Sequence, residues 1–265
     1  MHEPSRAQRQ YLLHKKREKQ LITVSRVFLF LFFLGIWELS ADRGWIDSFI
    51  FGSPSIIGET FVMMCKEQGL FSHIGITLAE TLISFLLVVV LGVGAAVVLW
   101  AFPRLSRVLE PYLVVLNSLP KSALAPLLIV WLGANMQTII VAGMSVAIFG
   151  SIINLYTGFC EIDPEKRKLV ATLGGGKKDE LFKIVLPSSI PLLLSVMKVN
   201  IGLCLVGVII GEFIGARKGL GYLIIYGSQT FKLSWMLTAI IILCVIAMVL
   251  YGVLSMVEKR YLKKI

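Results

Sequence analysis

Four ionisable side chains lie within long apolar runs or close to their ends: Glu80, Lys121, Lys198 and Glu212. Charged residues at such depth are typical of ion pathways, so one interpretation is an ion-coupled secondary transporter. Catalysis has less support, because the apolar runs contain no histidine cluster and no carboxylate pair at catalytic spacing. The four cysteines and three histidines are scattered, so we expect neither an enzyme nor a metal site.

A run of three glycines, 174–176, is followed by Lys177 and Lys178 and could be taken for a phosphate-binding loop. The pattern fails, because the loop's earlier glycine is absent and neither Ser nor Thr follows the lysine. We therefore expect no cofactor on this chain. If ATP drives the protein, it is bound by a separate subunit.

Residues 161–187 form a charged insert between two apolar regions. Asp163 followed by Pro164 is typical of a helix start, and Gly174 suits the end of that helix. A second short helix is predicted over about 177–185, ended by Pro187. Both helices have a small apolar face, which predicts a docking surface for another protein. Its candidate residues are Asp163, Leu169, Val170, Ala171, Leu173, Gly174, Leu181, Phe182, Ile184, Leu186 and Pro187.

The composition is that of an integral membrane protein. Hydrophobic residues make up 57% and charged residues only 16%, with a mean hydropathy of +0.83. Six apolar runs of sufficient length predict an all-α polytopic fold with six spans. The third run, about 111–132, contains two internal prolines and Lys121, so we expect a broken helix that is buried in protein or lines a water-filled path. The runs cover about 21–40, 73–100, 111–132, 136–159, 188–211 and 233–257.

The distribution of basic residues predicts the orientation of the chain in the membrane. Segments on one side of the six spans hold 18 Lys and Arg, and those on the other side hold 5. By the positive-inside rule the first side is cytoplasmic, which places both termini and the charged insert there. The net charge of +10 lies at the ends of apolar runs, so we expect a lipid bilayer as partner and no nucleic acid.

The insert also contains a specific motif. Its second half resembles the coupling motif of ABC importer permeases: Gly174 is followed after nine residues by Ile184 and, one residue later, by Leu186-Pro187. The first half departs from that motif, because Lys168-Leu169-Val170 stands where the motif has Glu-Ala-Ala. Four further stretches resemble the nitrate/sulfonate/taurine/bicarbonate-type permeases, and the resemblance runs from about Trp37 to the C-terminus. These stretches are Trp37-Glu38-Leu39, Ser53-Pro54-Ser55, Glu212 and Gly219-Leu220-Gly221-Tyr222.

The resemblance implies a type I ABC importer permease fold in the plasma membrane. It implies a second permease chain, expected as a homodimer, two ATP-binding-cassette ATPase subunits docked on the insert, and an extracytoplasmic substrate-binding protein. The solute would be a small anion such as nitrate, a sulfonate or taurine, or a vitamin or nucleobase precursor. The permease sequence does not choose among them, because in such systems the binding protein usually sets specificity.

We divide the chain into a basic cytoplasmic segment (1–20), a first span with an extracytoplasmic surface helix (21–70), the permease core (71–257, with the coupling loop at 160–187) and a basic tail (258–265). Lys198 lies about 11 residues beyond Pro187, roughly 16 Å along a helix and near mid-span. It either serves an anionic solute or is paired structurally. Candidate residues of the translocation path are Asn117, Lys121, Asn154, Lys198, Asn200 and Glu212.

Overall fold

The computed structural model describes residues 6–67 and 69–263, and every regular element in these ranges is a helix. The predicted all-α class is therefore confirmed. The chain divides into two compact units, Met1–Val62 and Met63–Ile265. The helices are α1 (Arg6–Asp42), α2 (Ser48–Phe51), α3 (Pro54–Glu67), α4 (Leu70–Ala101), α5 (Pro103–Ser118), α6 (Lys121–Leu132), α7 (Met136–Cys160), α8 (Pro164–Thr172), α9 (Lys177–Glu180), a π-helical turn (Leu181–Val185), α10 (Leu186–Gly215), α11 (Leu220–Gln229) and α12 (Leu233–Leu262).

In the first unit, α1 joins the basic segment and the first apolar run into one helix of 37 residues. Residues 1–5 of the predicted basic segment lie outside the described residues. Near the end of α1, the carboxylate of Glu38 accepts hydrogen bonds from the Ser55 amide (3.0 Å) and the Ser55 hydroxyl (2.6 Å). Two of the stretches on which the family resemblance rests are therefore bonded to each other at the start of α3.

The second unit is built around α4, α7 and α10, which pack against one another, with α11 and α12 packed on α10. Five of the described helices are long and apolar enough to cross a membrane, or six if the bent pair α5–α6 counts as one span. The predicted break in the third run is present, since α5 and α6 meet at a 95° bend between Ser118 and Lys121. The interruption coincides with Pro120, which cannot donate a backbone hydrogen bond.

The loop between α10 and α12 is more regular than its polar, glycine-containing sequence indicates. Helix α10 continues through Glu212 to Gly215, and α11 forms a further short helix. Buried apolar side chains of α11, α12, α10 and α4 make one cluster there, including Leu220, Leu223 and Trp235. Tertiary burial of α11 outweighs its weak local helix signal.

Close approach between α7 and α10 depends on two glycines. A Cβ atom at Gly207 would lie 2.8 Å from both the carbonyl oxygen of Ala142 and the Cα of Gly143. No side chain fits there without separating the two backbones. The neighbouring pair α4–α7 is also close, since Ser84 on α4 donates its hydroxyl to the carbonyl of Ile140 on α7 at 3.0 Å. Small residues at helix contacts of this kind are typical of membrane bundles.

We predict opposite effects for two alanine substitutions on α10. Gly207→Ala should lower the melting temperature, because overpacking typically costs about 1–3 kcal/mol. Gly202→Ala is the matched control, since a Cβ there meets nothing within 4 Å. The control should be neutral or stabilising, because alanine favours a helix over glycine by about 1 kcal/mol. Thermal unfolding of both purified variants checks this, and equal melting temperatures would contradict it.

Candidate functional site

The first helix of the insert, α8, has a defined start and end. The Asp163 carboxylate accepts a hydrogen bond from the Glu165 amide at 2.9 Å, and Pro164 occupies the first helical position. At the other end, Gly174 has φ +78° and the Gly175 amide bonds back to the Val170 carbonyl at 2.9 Å. This is a Schellman-type helix end, which favours glycine at the left-handed position.

The second half of the insert differs from the prediction at Pro187. The helix does not stop there: α9 passes into the π-helical turn Leu181–Val185 and then directly into α10, with Pro187 in the first turn of α10. In the π turn the Leu186 amide bonds to the Leu181 carbonyl five residues back. We interpret the wider turn as the means by which the chain accommodates the proline ring, which clashes with a carbonyl four residues back in a regular helix.

Polar contacts hold the insert together and join it to the end of α4. Arg167 on α8 pairs with Glu180 on α9, and its guanidinium lies 5.9 Å from the Trp100 ring. The Lys177 ammonium donates to the Ala101 carbonyl at 3.4 Å. The two short helices therefore have a fixed arrangement.

Large apolar side chains remain uncovered on this insert. Leu169, Leu173 and Phe182 are 58%, 78% and 66% exposed. Four other candidate docking residues are half-buried: Val170, Leu181, Ile184 and Leu186. Val185, which was not a candidate, is buried beside them. Ala171 lies on α8 with them. The insert thus presents apolar side chains to its surroundings, while several of its polar groups bond to one another.

Three of the candidate path residues lie around the middle of α7. Lys121, at the α5–α6 bend, donates to the Leu116 carbonyl and lies 5.1 Å from the Phe149 ring. The side-chain oxygen of Asn117 would be 3.2 Å from a Cβ at Gly150. Asn200, which is buried on α10, donates to the Ser151 hydroxyl at 2.9 Å. A fourth candidate, Asn154, is exposed one turn further along α7.

Lys198 and Glu212 lie elsewhere. The Lys198 ammonium forms an ion pair with Glu258 on α12 at 2.6 Å, and both side chains are largely covered. Glu212 lies about 18 Å beyond Asn200 along α10, where it accepts hydrogen bonds from the Thr77 hydroxyl (2.6 Å) and the Gly221 amide (2.5 Å). The six candidates therefore occupy three separate places.

Two partners were missed by sequence reasoning. Glu258 was assigned to the basic tail, although it is the last acidic residue of the chain and lies at the end of an apolar run. Thr77 carried no signal beyond being a small residue on α4. Neither position is near its partner in sequence, so only the packing of α4, α10 and α12 brings these groups together.

Similar proteins are found among both sequences and solved structures. A probable ABC transporter permease protein of Haemophilus influenzae is 28% identical over 86% of this chain and 93% of its own length. The formylaminopyrimidine transport permease protein ThiX of Halalkalibacterium halodurans is 27% identical over 78% of this chain and 81% of its own. A putative aliphatic sulfonates transport permease protein, SsuC of Bacillus subtilis, is 25% identical over 87% of this chain and 83% of its own length.

Solved structures share the fold at low identity. A chain of a bacterial ABC transporter involved in the import of the acidic polysaccharide alginate superposes with a TM-score of 0.67 at 14% identity, over 95% of this chain and 96% of its own. A chain of the inward-facing MetNI methionine ABC transporter superposes with a TM-score of 0.63 at 20% identity, over 74% of this chain and 95% of its own. The predicted type I ABC importer permease fold is confirmed.

The family model described as "Binding-protein-dependent transport system inner membrane component" matches residues 88–263. This match covers the bent pair α5–α6, the insert and all of α7, α10, α11 and α12. The predicted family is confirmed: the chain belongs to the binding-protein-dependent transport system inner membrane components, the multi-pass permease subunits of ABC importers.

Proposed function

We propose that this chain forms the translocation path for a small solute and couples it to ATP hydrolysis on a separate subunit through the coupling loop 160–187, which contains the insert. One observation carries the coupling: Leu169, Leu173 and Phe182 are exposed on an insert whose shape is fixed by its own caps and ion pairs. Exposed apolar side chains on a rigid, otherwise charged element favour a protein partner. An ATP-binding-cassette ATPase is the partner that the family provides.

Motion of the insert would act directly on the bundle. Because the π turn passes without a break into α10, a displacement of α9 is applied to the whole of that helix. The contacts of Arg167 and Lys177 with the end of α4 give a second route. We infer that ATPase closure shifts α10 and α4 together, which is a rigid-body change of packed helices.

We propose that a second copy of this chain packs against the bent pair α5–α6. The bend exposes Asn117, Ser118 and Pro120, in a segment that is otherwise apolar. Irregular backbone and polar side chains at membrane depth are tolerated only against protein or a water-filled cavity. We propose that the partner permease covers this side and that the solute passes between the two chains. Two ATPase chains, one on each insert, and an extracytoplasmic binding protein complete the proposed importer.

Docking on the insert can be tested with two glycines of the same loop. Gly174→Leu forces a side chain into a left-handed conformation at a cost of about 1–2 kcal/mol. That cost corresponds to roughly 5- to 30-fold weaker ATPase binding. Co-purification of the ATPase and solute uptake in cells should both fall. Gly176→Leu is the control, because its φ is −90° and a Cβ there meets nothing within 4 Å. Normal coupling in Gly174→Leu would remove the insert from the mechanism.

A role of Lys198 in the translocation path can be tested separately from a bracing role, in which its ion pair with Glu258 holds α10 against α12. Lys198→Met alone leaves Glu258 buried without its partner, which by itself is destabilising. The double variant Lys198→Met/Glu258→Gln removes both charges. If Lys198 serves an anionic solute, the double variant should insert and bind its ATPase but transport poorly. Wild-type transport by the double variant would leave only the bracing role.

The proposed orientation places both termini and the insert in the cytoplasm, from the distribution of basic residues. Cys160 is exposed at the start of the insert. In intact cells, a membrane-impermeant maleimide should leave Cys160 unlabelled and should label it after permeabilisation. Cys65, half-buried near the end of α3, should react from outside, and Ser48→Cys gives a more exposed reporter of the same side. Labelling of Cys160 in intact cells would reverse the orientation.

A further inference from the structure

The chain between α1 and α3, residues 43–53, leaves four large apolar side chains uncovered, and we call it the aromatic loop. Each of the four is more than half exposed: Trp45, Phe49, Ile50 and Phe51. Single apolar residues are ordinary on a protein surface, but a contiguous group of this size is typical of a contact with a protein or a membrane.

The aromatic loop has a defined conformation. The Asp47 carboxylate accepts a hydrogen bond from the Phe49 amide at 2.8 Å and caps the single turn of α2. At the other end of that turn, Gly52 has φ +63° and its amide donates to the Ser48 carbonyl at 3.0 Å. The exposed side chains therefore form an ordered surface, because the backbone that carries them is bonded locally.

Hydrogen bonds hold the start of the loop level with the end of the first span. The Trp45 and Ile46 amides both donate to the Ser40 carbonyl, at 2.9 and 3.3 Å. Ser40 is the last residue of the first apolar run, whose roughly 20 residues extend about 30 Å as a helix, the thickness of the hydrocarbon core. The Trp45 backbone therefore lies at the edge of that core, where the polar head groups begin.

The single turn of α2 is amphipathic. Successive residues of a helix are about 100° apart, so Ser48 and Ile50 lie on nearly opposite sides of the turn. Phe49 and Phe51 flank Ile50. The turn thus has an aliphatic side chain at the centre of its apolar face, a phenyl ring at each edge and a hydroxyl group on the opposite side.

The uncovered surface of the loop follows directly on that of the span. Ile36 and Leu39, in the last two turns of α1, are also exposed, and the surroundings of a span are lipid. The guanidinium of Arg43 lies 5.9 Å from the Trp45 ring. Tryptophan with a neighbouring cation at the end of a span is typical of the membrane–water interface, where the indole ring has one apolar and one polar side. Depth, sidedness and continuity therefore all favour a lipid surface as the partner.

We propose that the aromatic loop is a membrane-surface anchor, in which the apolar face of α2 enters the head-group region beside α1 and the Trp45 indole lies at the same depth. The partner is the phospholipid surface itself. Anionic lipid is not required, because the loop contains one basic residue, Arg43, and one acidic residue, Asp47. The proposal depends neither on the solute nor on an ATPase.

The anchor fixes two helices at once. Glu38 near the end of α1 bonds to Ser55 in the first turn of α3, and the aromatic loop joins the same two helices. Holding the loop at the membrane surface therefore sets the depth of the end of α1 and of the start of α3 together.

Fluorescence of the full chain in phosphatidylcholine nanodiscs tests the proposal. The Trp45 contribution is the difference between the wild-type protein and Trp45→Phe. It should be quenched strongly by phosphatidylcholine brominated near the carbonyl end of its acyl chains, less by lipid brominated near the methyl end, and little by aqueous iodide. The control is Trp235, which is buried at the start of α12. Its contribution, measured in the same way with Trp235→Phe, should respond to none of the three.

Two results would overturn the proposal. Strong quenching by iodide, without an effect of brominated lipid, would place the loop in water. Protection of Trp45 from iodide and from both brominated lipids would mean that a protein surface covers the loop, such as a second copy of this chain.

A matched pair of variants assigns the effect to the apolar face of α2. Ile50→Asp should draw the loop out of the bilayer, so that Trp45 loses most of its quenching by brominated lipid and becomes accessible to iodide. Ser48→Asp adds the same charge on the opposite side of the turn and should behave as wild type. Equal responses of the two variants would contradict the assignment. Both residues are exposed, so neither variant removes a packed side chain, and the wild-type measurement stands without them.

Discussion

The hydrocarbon core of a membrane offers no hydrogen-bond partner, and this constraint shapes the structure. Backbone groups in the spans are satisfied within helices, and polar side chains on α10 find partners on other helices: Asn200 with Ser151, Lys198 with Glu258, and Glu212 with Thr77 and Gly221. Such pairs can form only if the helices are close. Close approach in turn requires the glycines at the α7–α10 contact, because any larger residue would hold the two backbones apart.

In the insert, which lies between the spans, large apolar side chains are exposed. Five of its charged groups are used internally, in the Asp163 cap and in the Arg167–Glu180 and Asp179–Lys183 pairs, while several large apolar side chains are left outside. A surface element of this kind would not be stable as an open loop, since its apolar face contributes little until it is covered. The caps and ion pairs therefore help to keep the shape of the insert while its apolar face is uncovered.

Sequence pattern predicted most of the fold and part of the local geometry of the insert. The six apolar runs, the break near Pro120 and the helix end at Gly174 all follow from local chemistry: apolar length, a missing donor and a left-handed backbone position. The prediction that Pro187 ends a helix was wrong. Pro187 lies in the first turn of α10, where a proline is tolerated, and the π turn Leu181–Val185 precedes it, with Val185 buried.

The sequence by itself determined the class of protein, because hydropathy and the spacing of Gly174, Ile184 and Leu186-Pro187 are local properties that need no fold to be recognised. Only the tertiary structure decided which polar groups meet. Glu212 and Thr77 are 135 residues apart, and Lys198 and Glu258 are 60 apart. Pairings at such separations depend on how α4, α10 and α12 pack.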